Sequence, residues 1–185
     1  MTNITAARAE GVENGSSATP IDADGFKALF RGHPSGVAVI TAEGPDGPVA
    51  LTASSVSSIS VDPPLMIFSV SAMASAAAAI VAADSVVVHL LDAHDLDIAV
   101  LASTSGAERF ADRDQWTRLV TGEPLYRGVR AWTRATITGR MEAGGSTVIV
   151  AHALEGEINR DADHEGGPLV YHNRTWHRLG EGSAI

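Results

Sequence analysis

The sequence predicts a mainly β protein, a closed or half-closed antiparallel barrel with short helices at its edges. Three observations predict it. About seven segments carry the alternating or short continuous apolar runs of strands. Turn signals such as Asp46-Gly47 and Gly144-Gly145 separate them. The helical stretches are few and short, so they flank a sheet rather than alternate with its strands.

Taken in order, residues 1–20 lack an apolar period and read as a flexible N-terminal arm, or as an arm packed on a partner subunit. The ordered domain then spans 21–185. Asp22 or Asp24 can cap a short helix with Phe26, Leu29 and Phe30 on its apolar face. Pro34, between Gly32 and Gly36, stops it. Val37–Thr41 reads as a buried strand, and Asp46-Gly47 turns it into a return strand begun by Val49 and Leu51. Asp62-Pro63-Pro64 forces a turned or extended break before the apolar strand 65–70. Residues 75–83 are helical by propensity, with Ser75 as cap. Residues 86–91 are a core strand. Asp92 can cap a helix running to Ala102 with Leu96, Ala99 and Val100 on one side. Residues 107–119 form a charged helical or irregular connection. From Val129 the strands lengthen: Ala131, Thr133, Ala135, Ile137 and Met141 share one face. Gly144-Gly145 turns the chain into 147–158. Residues 168–172 and 175–179 make a tight hairpin around Asn173-Arg174.

Composition removes several function classes. The chain of 185 residues is 45% apolar, enough for one domain with a real core, but only 5% aromatic. A net charge of −9, with Lys27 the sole lysine, leaves no basic stripe for nucleic acid and disfavours anionic membranes. Without cysteine there is no disulfide, thiolate metal site or catalytic thiol. His89/His94 and His172/His177 are each five apart, off the spacing of a zinc helix, so no metal is expected. There is no Rossmann glycine pattern, Walker loop or nucleophile elbow. No secretory signal or membrane span is visible, and the expected location is the cytoplasm.

The informative stretch is LTASSVSSISVDPP, residues 51–64. Six hydroxyl residues fall within nine positions: Thr52, Ser54, Ser55, Ser57, Ser58 and Ser60. Such donors, with backbone N–H groups, can hold a phosphate where basic residues are scarce, and small side chains let a flat ring approach the backbone. A serine-rich surface loop would read the same way.

The run HPSGVAVITAEGPDGPVALTASSVSSISVDPPLMIFSV resembles the opening of the flavin reductase family, an FMN-binding split β-barrel. The later order agrees: Ser75 opening a small-residue helix, VVVHLL, a helix from about His94, Arg109-Phe110, GEPLYRG, and the closing PLVYHNRTWHRL. The resemblance covers residues 24–180. It implies a homodimer that binds FMN or FAD and passes hydride to it from NADH or NADPH, supplying reduced flavin to a separate monooxygenase. Carried over by position, Pro34, Ser35 and Gly36 would approach the ring. Thr52, Ala53, Ser54 and Ser55 would line the ring and ribityl chain, and Ser58 and Ser75 would donate to ribityl or phosphate oxygens. Arg109, next to Phe110, would meet the phosphate, unless it is only a solvated charge. His172 would stand beside the nicotinamide, unless it merely packs at the barrel end. The chain departs from the family at Gly144-Gly145-Ser146, where many members carry Gly-Asp-His, and at His89 and His94, where Asn and Gln are frequent. A flavin-binding barrel without nicotinamide chemistry and an oxidase of pyridoxamine-like substrates are the alternatives.

Overall fold

The computed structural model describes residues 19–105, 107–161 and 165–185, so nearly all of the expected arm, 1–20, lies outside the described residues. The elements are α1 (Ala23–Arg31), β1 (Ser35–Gly36), β2 (Ala38–Gly44), β3 (Gly47–Ala53), β4 (Ser57–Val61), β5 (Pro64–Ser71), α2 (Ala77–Ala82), β6 (Ser85–Leu90), α3 (Leu96–Ser103), β7 (Trp116–Arg118), β8 (Pro124–Tyr126), β9 (Ala131–Ala143), β10 (Ser146–Ile158), β11 (Leu169–His172) and β12 (Thr175–Arg178). Seven strands form one antiparallel sheet in the order β3-β2-β6-β9-β10-β5-β4. Its edges, β3 and β4, are consecutive in sequence yet unpaired. The barrel is therefore half-closed, with its seam at residues 54–56 of the serine-rich stretch.

Strand periodicity explains why β2 is buried on both sides. Ala38, Ile40 and Ala42 point into the barrel core with Leu51, Phe68, Val86, Val88 and Ile149. The alternate residues Val37 and Val39 enter a second core with Ile98, Ala99, Ala102, Trp116, Tyr126 and Leu169. That second core fastens α3, the β7–β8 hairpin and the β11–β12 hairpin to the outside of the sheet. Small and branched residues fill the barrel core around Phe68, whereas the second core gathers Trp116 and Tyr126 with Phe110, Trp132, Tyr171 and Trp176 packed against them.

Several local expectations shift. Asp22 caps α1, accepting from Gly25 N–H at 2.7 Å. The first hairpin turns on Pro45-Asp46, and Gly47 follows at φ +119°, where glycine avoids a Cβ clash. Ser75 does not cap α2, whose N-cap is Ala76. Leu96 and Val100 are exposed while Ile98, Ala99 and Ala102 are buried. The cause is the three-residue 3-10 turn Ala93–Asp95, pinned by the Asp92–Asp95 capping box, which changes the helical phase before α3 begins. Met141 is exposed because the end of β9 runs past the core.

His89 sits at 0% exposure on the second-core face of β6, its ring against Tyr126. Its Nε2 accepts the Tyr126 N–H at 3.0 Å, which leaves the proton on Nδ1, 2.9 Å from the Val39 carbonyl. Burial lowers its pKa to about 4, against the opposing pull of the Val39 carbonyl. The unfolded chain takes up this proton from about pH 6.5 downward and the folded chain does not, so stability falls as pH drops. Urea melts should lose on the order of 2 kcal/mol between pH 7 and pH 4.5. In His89→Asn that slope should flatten; an unchanged slope would assign the acid sensitivity elsewhere. Glu123 acts in a lower window. Burial raises its pKa, but the Ser85 and Thr121 hydroxyls, its own backbone N–H and Arg134 outweigh burial and bring it down to about 2. Its contribution is present above about pH 4.5 and fades below that value.

Candidate functional site

Three adjoining grooves make one trough along the second core. The first, about 330 Å³, is lined by Thr52, Ala74, Ser75, Ser103, Ser105 and Arg109 among others. Thr52 and Ser103 also line the second, about 210 Å³, with Val37, Ser54, Tyr171 and Trp176. Ser54 and Tyr171 continue into the third, about 390 Å³, between α1 and the β11–β12 hairpin.

The first groove combines a cation with hydroxyl donors. No carboxylate lines it. The Arg109 guanidinium is fixed at the C-terminal end of α3: Nε donates to the Ala102 carbonyl at 3.2 Å and Nη2 to the Thr104 carbonyl at 3.1 Å. Nη1 donates to Ser75 Oγ at 3.3 Å, which joins cation and hydroxyl in one place. From below, the Tyr126 hydroxyl donates to the Arg109 carbonyl at 2.8 Å and Trp116 Nε1 to the Phe110 carbonyl at 3.0 Å. Burial pushes the Tyr126 hydroxyl up to about 12, so it stays a donor at neutral pH.

The second groove sets the side chains of Val37, Tyr171 and Trp176 against the hydroxyl residues Thr52, Ser54 and Ser103. Tyr171 and Trp176 face each other across the β11–β12 hairpin with ring centroids 4.7 Å apart. This hairpin reaches the trough because β1 pairs with β11, Ser35 opposite Tyr171.

Of the residues expected at the site, Ser35, Thr52, Ser54, Ser75 and Arg109 line the trough. Thr52 Oγ1 is already donating to the Ala99 carbonyl at 2.6 Å, which leaves its lone pairs for a ligand donor. Pro34 and Gly36 flank Ser35 at the surface, and a Cβ added at Gly36 would meet nothing within 4 Å. Others stand apart. The Ala53 side chain is in the barrel core, so only its backbone is available. Ser55 Oγ is engaged across the seam, accepting the Ser69 N–H at 2.9 Å. Ser58 lies on the exposed strand β4 opposite Met66 and lines none of the three grooves. Phe110 stacks on Tyr126 at 5.3 Å and meets Trp116 edge-on at 5.0 Å, so its ring anchors the Arg109 backbone. His172 is turned away by strand alternation; its ring lies 5.6 Å from that of His177, and its neighbour Tyr171 is the side chain β11 presents to the trough.

Sequence reasoning missed Ser103, Ser105, Tyr171 and Trp176. The hydroxyl run Ser103-Thr104-Ser105 at a helix end, and two aromatics opposed across a hairpin in a chain poor in rings, were the available signals.

Likeness to known proteins agrees with this geometry. An NADH:FMN oxidoreductase of Rhodococcus qingshengii is 36% identical over 160 residues, covering 86% of this chain and 83% of its own. The crystal structure of a flavin reductase domain protein from Arthrobacter sp. FB24 superposes with a TM-score of 0.78 at 30% identity, covering 84% of this chain and 94% of that one. The flavin reductase component of a bacterial two-component tryptophan halogenase superposes with a TM-score of 0.74 at 30% identity, covering 86% and 99%. The sequence profile of the flavin reductase like domain matches residues 30–180, and the chain, with its half-closed antiparallel barrel, belongs to that family.

Proposed function

We propose that this protein is a flavin reductase that transfers hydride from NADH or NADPH to FMN or FAD. The observation that carries the reading is the continuity of the first two grooves, with the Arg109 cation and the Ser75 hydroxyl at one end and the Tyr171 and Trp176 rings at the other. Those ends match the phosphate and ring of a flavin. When bound, the flavin itself supplies the hydride-accepting chemistry, so the protein needs no acid–base pair. Arg109 and Ser75 hold the phosphate, Thr52 and Ser103 the ribityl chain, and Ser54, Tyr171 and Trp176 border the ring. The chain's task is to fix distance and to exclude water over the reacting faces.

Support for a homodimer comes from apolar side chains the single chain leaves bare, among them Ile59 and Val61 on β4 and Leu154 and Ile158 on β10. A second copy is the natural cover. The likeness to a halogenase reductase component supports a separate flavin-consuming oxygenase as the physiological acceptor.

Adding NADH or NADPH to the protein saturated with FMN or FAD should bleach the flavin band rapidly. Flavin that binds but stays oxidised would refute reductase activity and favour a pure flavin carrier. Arg109→Gln should raise the FMN dissociation constant roughly 10- to 100-fold, the range of a lost charge-assisted contact, and leave riboflavin binding nearly unchanged. Fluorescence titration with both ligands checks this. Equal weakening of both would assign Arg109 to bracing α3 instead of the phosphate.

A further inference from the structure

The third groove is basic on an acidic protein. Lys27, Arg31, His33 and Arg174 all line it, no carboxylate does, and the chain as a whole carries −9. Lys27 is paired with Asp24 at 3.2 Å on the outer surface of α1. Neither Arg31 nor Arg174 has a carboxylate partner among the described residues. Their closeness is enforced by the backbone: the Asn173 N–H donates to the Arg31 carbonyl at 3.1 Å, which clasps the tip of the β11–β12 hairpin to the end of α1.

The tip itself is strained. Asn173 and Arg174 have φ of +48° and +63°, the left-handed pair of a two-residue type I′ turn, where Asn-Gly is the favoured sequence. Arginine at the second position holds a conformation that glycine adopts freely, and such strain concentrates at binding sites. What arginine adds there is a cation facing the groove. Phe26 and Phe30, 52% and 58% exposed, offer ring faces in the same groove.

We infer that Arg31 and Arg174 hold the pyrophosphate of the nicotinamide dinucleotide, with Phe26 and Phe30 as the platform for its adenine. This rests on the reductase reading above. The groove joins the ring end of the trough at Ser54 and Tyr171, so a nicotinamide placed there leads its phosphates directly between the two arginines. Anion and cations form charge-assisted contacts, which the planar guanidinium fork can make bidentate.

Arg174→Gly and Arg31→Gln test it, with steady-state kinetics and calorimetry of ADP binding to the flavin-free protein. In both variants KM for NADH should rise about tenfold or more, with kcat and FMN affinity close to wild type, and ADP binding should be lost. Arg174→Gly should also melt at a higher temperature than wild type, because the strain is relieved; misfolding would lower it. Unchanged KM for NADH in both variants overturns the assignment while leaving the reductase reading intact. A wild-type protein that binds FMN but never oxidises NADH overturns that reading instead, and ADP calorimetry then still decides whether the two arginines hold a pyrophosphate.

Discussion

Ser54→Trp is expected to abolish flavin binding while the protein keeps its fold and its particle size. Ser54 is exposed at the junction of the second and third grooves and lines both. The junction groove measures about 210 Å³, so an indole there fills the space between the β3 end and the Tyr171–Trp176 pair. Its neighbours tolerate the change. Ser54 lies at the barrel seam between β3 and β4, outside both cores, and makes no ladder contact that tryptophan would break. Flavin affinity by fluorescence titration and particle size by light scattering check the two halves of the expectation. Unchanged affinity would remove the seam from the flavin site.

Arg160→Ala is expected to destabilise the fold by about 3–5 kcal/mol, the cost of leaving a buried ion pair half-broken. The Arg160 guanidinium reaches Asp92 through Nε at 2.7 Å and Asp95 through Nη2 at 2.5 Å, and also donates to the Gly128 carbonyl. Both carboxylates are buried, with side-chain exposures of 3% and 5%. They serve as struts: Asp95 Oδ2 accepts the Arg130 N–H at 3.0 Å and Asp92 Oδ1 the His94 N–H at 2.8 Å. Without the arginine these groups face each other uncompensated. Burial raises the Asp92 pKa, but Arg160 and the His94 N–H outweigh burial and hold it below its ordinary value. That stability is present above the unfolded value near 3.9 and is lost as pH falls through the folded one. In Arg160→Ala acid should instead relieve the buried charges, so the gap between the two proteins narrows below about pH 4. Urea melts at pH 7 and pH 3.5 measure it; a constant gap would mean that the guanidinium acts by packing alone.

Local chemistry made much of the fold legible. The Asp22 cap, the break at Asp62-Pro63-Pro64, the Gly144-Gly145 turn and the Asn173-Arg174 hairpin each depend on a residue and its immediate neighbours. The serine-rich stretch was conspicuous in the sequence, but that the barrel opens at residues 54–56 follows only from the unpaired edges of β3 and β4. The trough was foreshadowed by the family resemblance at Arg109, Ser75, Thr52 and Ser54, which line it. It was hidden where orientation decides. Tyr171 and His172 are adjacent and both chemically suitable, and only the pairing of β11 with β1 and β12 turns the tyrosine inward. Ser55 was a fair candidate until the seam brought the Ser69 backbone to its hydroxyl.

The sequence by itself determined an antiparallel barrel with edge helices and a hydroxyl-rich strand end, because period-two burial, caps and turns act over a few residues. Which hydroxyls stay free, which of two neighbouring rings lines the trough, and that Arg31 and Arg174 converge from opposite ends of the chain were decided only by tertiary structure. Those outcomes depend on long-range strand register, and a one-residue slip in pairing exchanges every inward side chain for an outward one.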